Sequence, residues 1–74
     1  TQNTAVGALA LDANTTASNN TALGYASLGA NTTGQSNVAV GKHALLSNTT
    51  GDFNVSVGTD SLDAVTTGDN NTFV

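Results

Sequence analysis

NVAVGKHALLSNTTGDF, residues 37–53, is one turn of a pattern that fills the chain. Its leading Asn37 has counterparts at Asn3, Asn20, Asn54 and Asn71, each 17 residues from the next. Cutting at these asparagines gives four full units, 3–19, 20–36, 37–53 and 54–70, and a partial fifth, 71–74, so residues 1–74 read as a single repetitive segment. A fixed period without a slip is the mark of a fold that stacks one structural unit on the next.

Numbered from the asparagine, the unit separates fixed columns from free ones. Position 4 is a branched aliphatic: Val6, Leu23, Val40, Val57 and Val74. Position 5 is Gly7, Gly24, Gly41 and Gly58, and position 9 is Leu11, Leu28, Leu45 and Leu62. Position 12 is Asn14, Asn31 and Asn48, then Val65; two threonines follow in every unit, and position 15 is Ala17, Gly34, Gly51 and Gly68. Positions 6, 7, 10, 16 and 17 vary.

These columns predict an all-β parallel solenoid, or β-roll, with one coil per 17-residue unit. Positions 1–4 alternate like a short strand. Positions 2 and 4 are expected to face inward and the small position 3 outward, because successive strand side chains point to opposite faces. The glycine at position 5 fits a corner that needs positive φ or close backbone approach. The leucine at position 9 is the second core anchor, giving an expected core of Val6, Leu11, Leu23, Leu28, Val40, Leu45, Val57 and Leu62. Positions 12–14 read as a second short strand. Positions 6–11 are expected to be mostly extended, with a short helical turn as the alternative. Stacked coils bring identical residues to about 4.8 Å, so Asn3, Asn20, Asn37, Asn54 and Asn71, and likewise Asn14, Asn31 and Asn48, are expected to form amide ladders.

Composition narrows the function classes. One Lys, no Arg and five Asp give a net charge of −4, without the basic face that nucleic acid requires. No apolar run approaches a membrane span, so no membrane insertion by this segment is expected. There is no Cys to staple a small core, which leaves assembly or continuation into a longer stack as the source of stability. The chain opens on Thr1 rather than Met, which reads as a processed or excised piece.

The segment Ser36-Asn37-Val38-Ala39-Val40-Gly41 resembles the N-S-V-A-I-G motif of YadA-like trimeric autotransporter adhesin heads. Residues 19–24 and 53–58 fit the same motif more loosely. The whole unit also resembles repeats of phage tail fibres and related bacterial fibres. The resemblance implies a left-handed β-roll and a homotrimer of chains lying side by side.

Little in the sequence supports catalysis or a cofactor. His43, the sole imidazole, sits at variable position 7, and no nucleophile–base set can be built on it. Asp60 and Asp63 are conceivable as a carboxylate pair but read as turn and solvated residues. Gly51-Asp52 and Gly68-Asp69 are a weak calcium signal, and no metal site is expected. N-x-T motifs such as Asn14-Thr15-Thr16 and Asn48-Thr49-Thr50 fit the glycosylation acceptor pattern but arise from the repeat itself. Tyr25 offers a ring that could stack on a sugar, although partial burial is the plainer reading.

The expected function is therefore a non-enzymatic structural or adhesive extracellular fibre segment of a bacterial cell surface or a virion. It would associate with itself as a homotrimer and carry a host receptor or glycan on its outer columns. The alternatives are a self-polymerising filament and an ice-binding solenoid. A flat Thr-x-Thr array is not expected, because in a strand only one threonine of each pair shares a face.

Overall fold

The computed structural model describes residues 2–62 and 66–73, Phe73 by its backbone alone. The structure is all-β, with no helix among the described residues. Five short strands, β1 (Thr4–Val6), β2 (Thr21–Leu23), β3 (Val38–Val40), β4 (Val55–Val57) and β5 (Thr72–Phe73), form one sheet in chain order. Every neighbouring pair is parallel and in repeat register: Thr4 lies on Thr21, Thr21 on Val38, Val38 on Val55 and Val55 on Thr72. This arrangement is compatible with a β-solenoid. Val65 and Val74, which belong to the position 12 and position 4 columns, lie outside the described residues.

The strands face the opposite way from the sequence expectation. Their small middle residues point inward: Ala22, Ala39 and Ser56 are each 0% exposed. The branched residues at position 4 point outward, with Val6 56%, Leu23 46% and Val57 38% exposed and Val40 half-buried. Val6, Leu23, Val40 and Val57 are therefore not core residues of the chain. The leucines at position 9 do fill the interior: Leu28 and Leu45 are fully buried, Leu11 is nearly so, and Leu62 packs against them. The physical reason is width. The space between the walls is filled by one leucine meeting one alanine, so a branched side chain on the facing strand would overpack it.

Positions 6–11 are neither strand nor helical turn. They run as consecutive hydrogen-bonded turns, Ser27 N–H to Gly24 C=O, Gly29 N–H to Ala26 C=O and Asn31 N–H to Leu28 C=O. Positions 7 and 9 hold positive φ without glycine: Ala26 57°, Leu28 51°, His43 60° and Leu45 51°. Such a backbone costs an L-residue roughly 1–2 kcal/mol. Hydrogen bonds between coils offset it. The position 7 N–H points back along the stack, as from His43 to the Tyr25 carbonyl at 2.9 Å, while the position 9 N–H points forward, as from Leu28 to the Ala44 carbonyl at 2.9 Å. Between them the position 8 N–H closes a turn within its own repeat, as from Ser27 to the Gly24 carbonyl.

Positions 12–14 are bends rather than a second strand, yet they are tightly laddered. The Thr49 carbonyl accepts N–H bonds from Thr32, Thr33 and Gly34 at 3.0–3.2 Å, and the Thr32 hydroxyl at 3.2 Å. Three donors on one carbonyl require a curled backbone, and this curl displaces the extended geometry that the threonines favour.

At position 5 the glycine is required twice over. Gly24 has φ +126°, and a Cβ built there would lie 2.8 Å from the carbonyl carbon and oxygen of Gly41. Gly58 has φ +130° but nothing closer than 3.8 Å. Chemical denaturation should therefore separate two otherwise equal substitutions. Gly58→Ala should cost about 1–3 kcal/mol from backbone strain, and Gly24→Ala about 1–3 kcal/mol more from the collision.

Candidate functional site

Two kinds of position have chemistry to offer: the asparagine columns that tie the coils together, and the outer surface. The asparagines at position 1 sit where the strand leaves the preceding corner. Asn20, Asn37 and Asn54 are buried, whereas Asn3 and Asn71 are half-buried. Asn37 shows the full set of bonds. Its Nδ2 donates to the Gly51 carbonyl at 2.8 Å and to Asn20 Oδ1 at 3.1 Å, and its Oδ1 accepts the Asn54 N–H at 2.9 Å. The pattern repeats from the Asn20 N–H onto Asn3 Oδ1 and from the Asn71 N–H onto Asn54 Oδ1, both at 2.9 Å.

The position 12 asparagines form a parallel ladder. Asn31 Nδ2 donates to Asn14 Oδ1 at 3.3 Å, and Asn48 Nδ2 to Asn31 Oδ1 at 2.9 Å. Both ladders converge on position 15. The Gly34 carbonyl accepts Asn20 Nδ2 at 2.8 Å and Asn31 Nδ2 at 3.0 Å, and Gly51 receives Asn37 and Asn48 in the same way. A Cβ at Gly34 would press on Asn31 Oδ1 at 2.5 Å and Asn48 Nδ2 at 2.9 Å, so glycine here makes room for the amides. The ladders are structural: every amide nitrogen just named is committed to a neighbouring repeat or to its own repeat's backbone.

The outer surface carries the sheet face, a threonine rim and the variable columns. On the sheet face, Val6, Leu23 and Val57 are exposed, while Val38, Val40 and Val55 are half-buried. On the rim, Thr16, Thr33, Thr50 and Thr67 are exposed. Thr15, Thr32 and Thr49 direct their hydroxyls at the next coil's backbone carbonyl at 3.2–3.3 Å. Because this segment bends, Thr15 and Thr16 both reach solvent, contrary to the strand-based expectation of one per pair.

Among the variable residues, His43 Nδ1 lies 3.1 Å from Asp60 Oδ1, one coil further on. The His43 ring also packs at 5.7 Å from the Tyr25 ring, tilted by 51°. Tyr25 is 48% exposed. The string therefore spans three coils on the outside, and its histidine is held by neighbours rather than freely solvated. Asp63, the other half of the conceivable carboxylate pair, lies outside the described residues. The two Gly-Asp turns use their carboxylates on backbone. Asp52 Oδ1 accepts the Gln35 N–H and Asp69 Oδ1 the Asp52 N–H, both at 2.8 Å. A shallow groove of about 410 Å³ is lined by Leu9, Asp12, Ala26, Gly29, Ala30, Leu46 and Ser47.

The left-handed columns are the feature that sequence reasoning missed. Variation at positions 7 and 17 conceals a fixed backbone state, and the bulky Leu at position 9 gives no sign of positive φ. No protein-family model, curated protein or solved structure matches the chain.

Two substitutions test the ladders by equilibrium unfolding. Asn37→Ala should destabilise by about 1–3 kcal/mol for each buried partner left unpaired. Asn48 Oδ1, by contrast, is buried with no partner among the described residues, and the next unit carries Val65 in place of asparagine. Asn31→Ala, which takes from Asn48 Nδ2 its acceptor in the neighbouring repeat, should destabilise by about 1–3 kcal/mol.

Proposed function

We propose that the chain is a segment of an extracellular structural or adhesive fibre, a stalk or head element of a bacterial surface adhesin or a phage tail fibre, without catalytic activity. In this reading it is a left-handed β-solenoid of 17-residue coils. Three copies lie side by side, as the resemblance to YadA-like adhesin heads implies.

The observation that carries the proposal is the outward face of the sheet. A column of Val and Leu at position 4, flanked by Val38 and Val55 at position 2, is left exposed or half-covered by the chain itself. The inward face of β2, β3 and β4 carries the small residues Ala22, Ala39 and Ser56. An exposed apolar face on a repeat fold marks an interaction surface. Position 4 is Val or Leu in every unit, while position 2 is Thr4, Thr21 and Thr72 or Val38 and Val55, so a second copy of the chain presents a closely related column. Burying these side chains against other copies would supply the apolar area that a chain this small lacks.

The same geometry leaves the variable columns outside the assembly. Positions 6, 7, 10, 16 and 17 can then present a different chemistry at each coil to a host receptor or glycan. Contacts that are individually weak gain from repetition along the axis. Edge strands β1 and β5 each have one sheet neighbour, which favours end-to-end polymerisation as the second reading.

Light scattering on the purified chain should give three times the monomer mass. Leu23→Asp places a carboxylate on the apolar face and should return the mass to that of one chain, with the circular dichroism of the parent retained. A monomeric parent, or a trimer indifferent to Leu23→Asp, overturns the side-by-side assembly. Long filaments from the parent, seen by electron microscopy, would support axial stacking in its place.

A further inference from the structure

The chain contains six N-x-S/T motifs, beginning at Asn14, Asn19, Asn31, Asn48, Asn54 and Asn70. The fold sorts them into two groups. Asn31, Asn48 and Asn54 are each 0% exposed, and their Nδ2 atoms donate to the carbonyls of Gly34, Gly51 and Gly68. Asn14 belongs to the same ladder, its Oδ1 accepting from Asn31 and its Nδ2 approaching the Ala17 carbonyl. A saccharide on any of these nitrogens would displace a ladder bond and force bulk between coils.

Asn19 and Asn70 are different. Both occupy position 17, the corner just before the strand, and both are exposed. Their φ values of 61° and 57° hold the backbone in the left-handed region, which turns the side chain out of the coil's path. The residue two places on is outward-facing in each case: Thr21 is half-buried and Thr72 exposed. Residue choice follows the same line. Where position 17 is Asn, position 2 of the next unit is Thr (Asn19 with Thr21, Asn70 with Thr72). Where position 17 is Ser36 or Phe53, position 2 is Val38 or Val55. Gln2 precedes Thr4 but carries an amide that is not an acceptor in this motif.

We infer that Asn19 and Asn70 are sites of N-linked glycosylation, and that the four ladder asparagines are closed to it in the folded protein. The donor class is a pyrophosphate-activated saccharide. Asparagine Nδ2 bonds to the anomeric carbon as the bond from that carbon to the pyrophosphate oxygen breaks. The Nδ2 proton passes to a base of the transferase, and the pyrophosphate leaves with the bonding electron pair. The two asparagines sit at the sheet's entry corner, whereas Thr21 and Thr72 lie on the outward strand face that the proposed assembly covers, so in that reading transfer precedes association of the copies.

The test is secretion of the chain from a eukaryotic cell, followed by isolation of the folded fraction and peptide mapping. Amidase release of N-glycans converts each modified Asn to Asp, which marks the site. Conversion is expected at Asn19 and Asn70 and at no ladder asparagine. Thr21→Val and Thr72→Val remove the motifs with the residue that the repeat itself uses at position 2. Each should delete one glycan mass and leave the thermal unfolding curve of the deglycosylated chain within the spread of the parent. Unmodified Asn19 and Asn70, modification of Asn14, Asn31, Asn48 or Asn54 in the folded fraction, or glycan retained at Asn19 in Thr21→Val would each overturn the inference.

Discussion

Everything in this structure hangs from one side-chain amide. The asparagine at position 1 reaches across its own coil to the position 15 carbonyl and along the axis to the next coil's backbone N–H, as Asn37 does with Gly51 and Asn54. The first bond sets how wide the coil is, and the second sets how the coils follow one another. Because the group is buried, an unmade bond costs about 1–3 kcal/mol, and at Asn37 each amide atom has a partner. The glycines at positions 34 and 51 follow from it, since any side chain there would occupy the space in which the amides meet. Low hydrophobicity follows as well: in so narrow a coil, hydrogen bonds between identical backbones carry much of the order that a wider core would supply.

The narrowness explains where the residues fall. A coil that can hold one leucine against one alanine has no place for valines on the strand's inner side, and they go outside. The chain thereby exposes apolar side chains along the strands while its own interior stays small. The proposed fibre assembly and the inverted strand are two aspects of this single geometric limit.

Much of the architecture was legible in the sequence. The period, a strand within positions 1–4, the leucine column and the two amide ladders could all be read from recurrence, since the stack brings like residues together. The strand's facing could not, because alternation says which residues share a side but not which side is inner; the space between the strand and the leucine column decides that, and it exists only once the repeats pack together. The second strand was misread because Thr-Thr favours extended backbone locally, whereas three N–H groups converging on the Thr49 carbonyl impose a curl. The left-handed residues at Ala26, Leu28, His43 and Leu45 were hidden for a related reason: hydrogen bonds from neighbouring coils, not intrinsic preference, hold them there. On the surface, the variability of position 7 was visible, but the contact joining Tyr25, His43 and Asp60 needed the coil register to bring them together.

The asparagine ladder also gives the stack an arrow. Each Oδ1 faces the coil that follows and each backbone N–H of the column faces the coil that precedes, so the two directions along the axis are chemically unlike. A coil offered upside down would set acceptor against acceptor. Growth, docking or continuation of the stack is thereby confined to one sense, as with a column of plugs and sockets, and the resulting body has a head and a tail even though every layer is built alike.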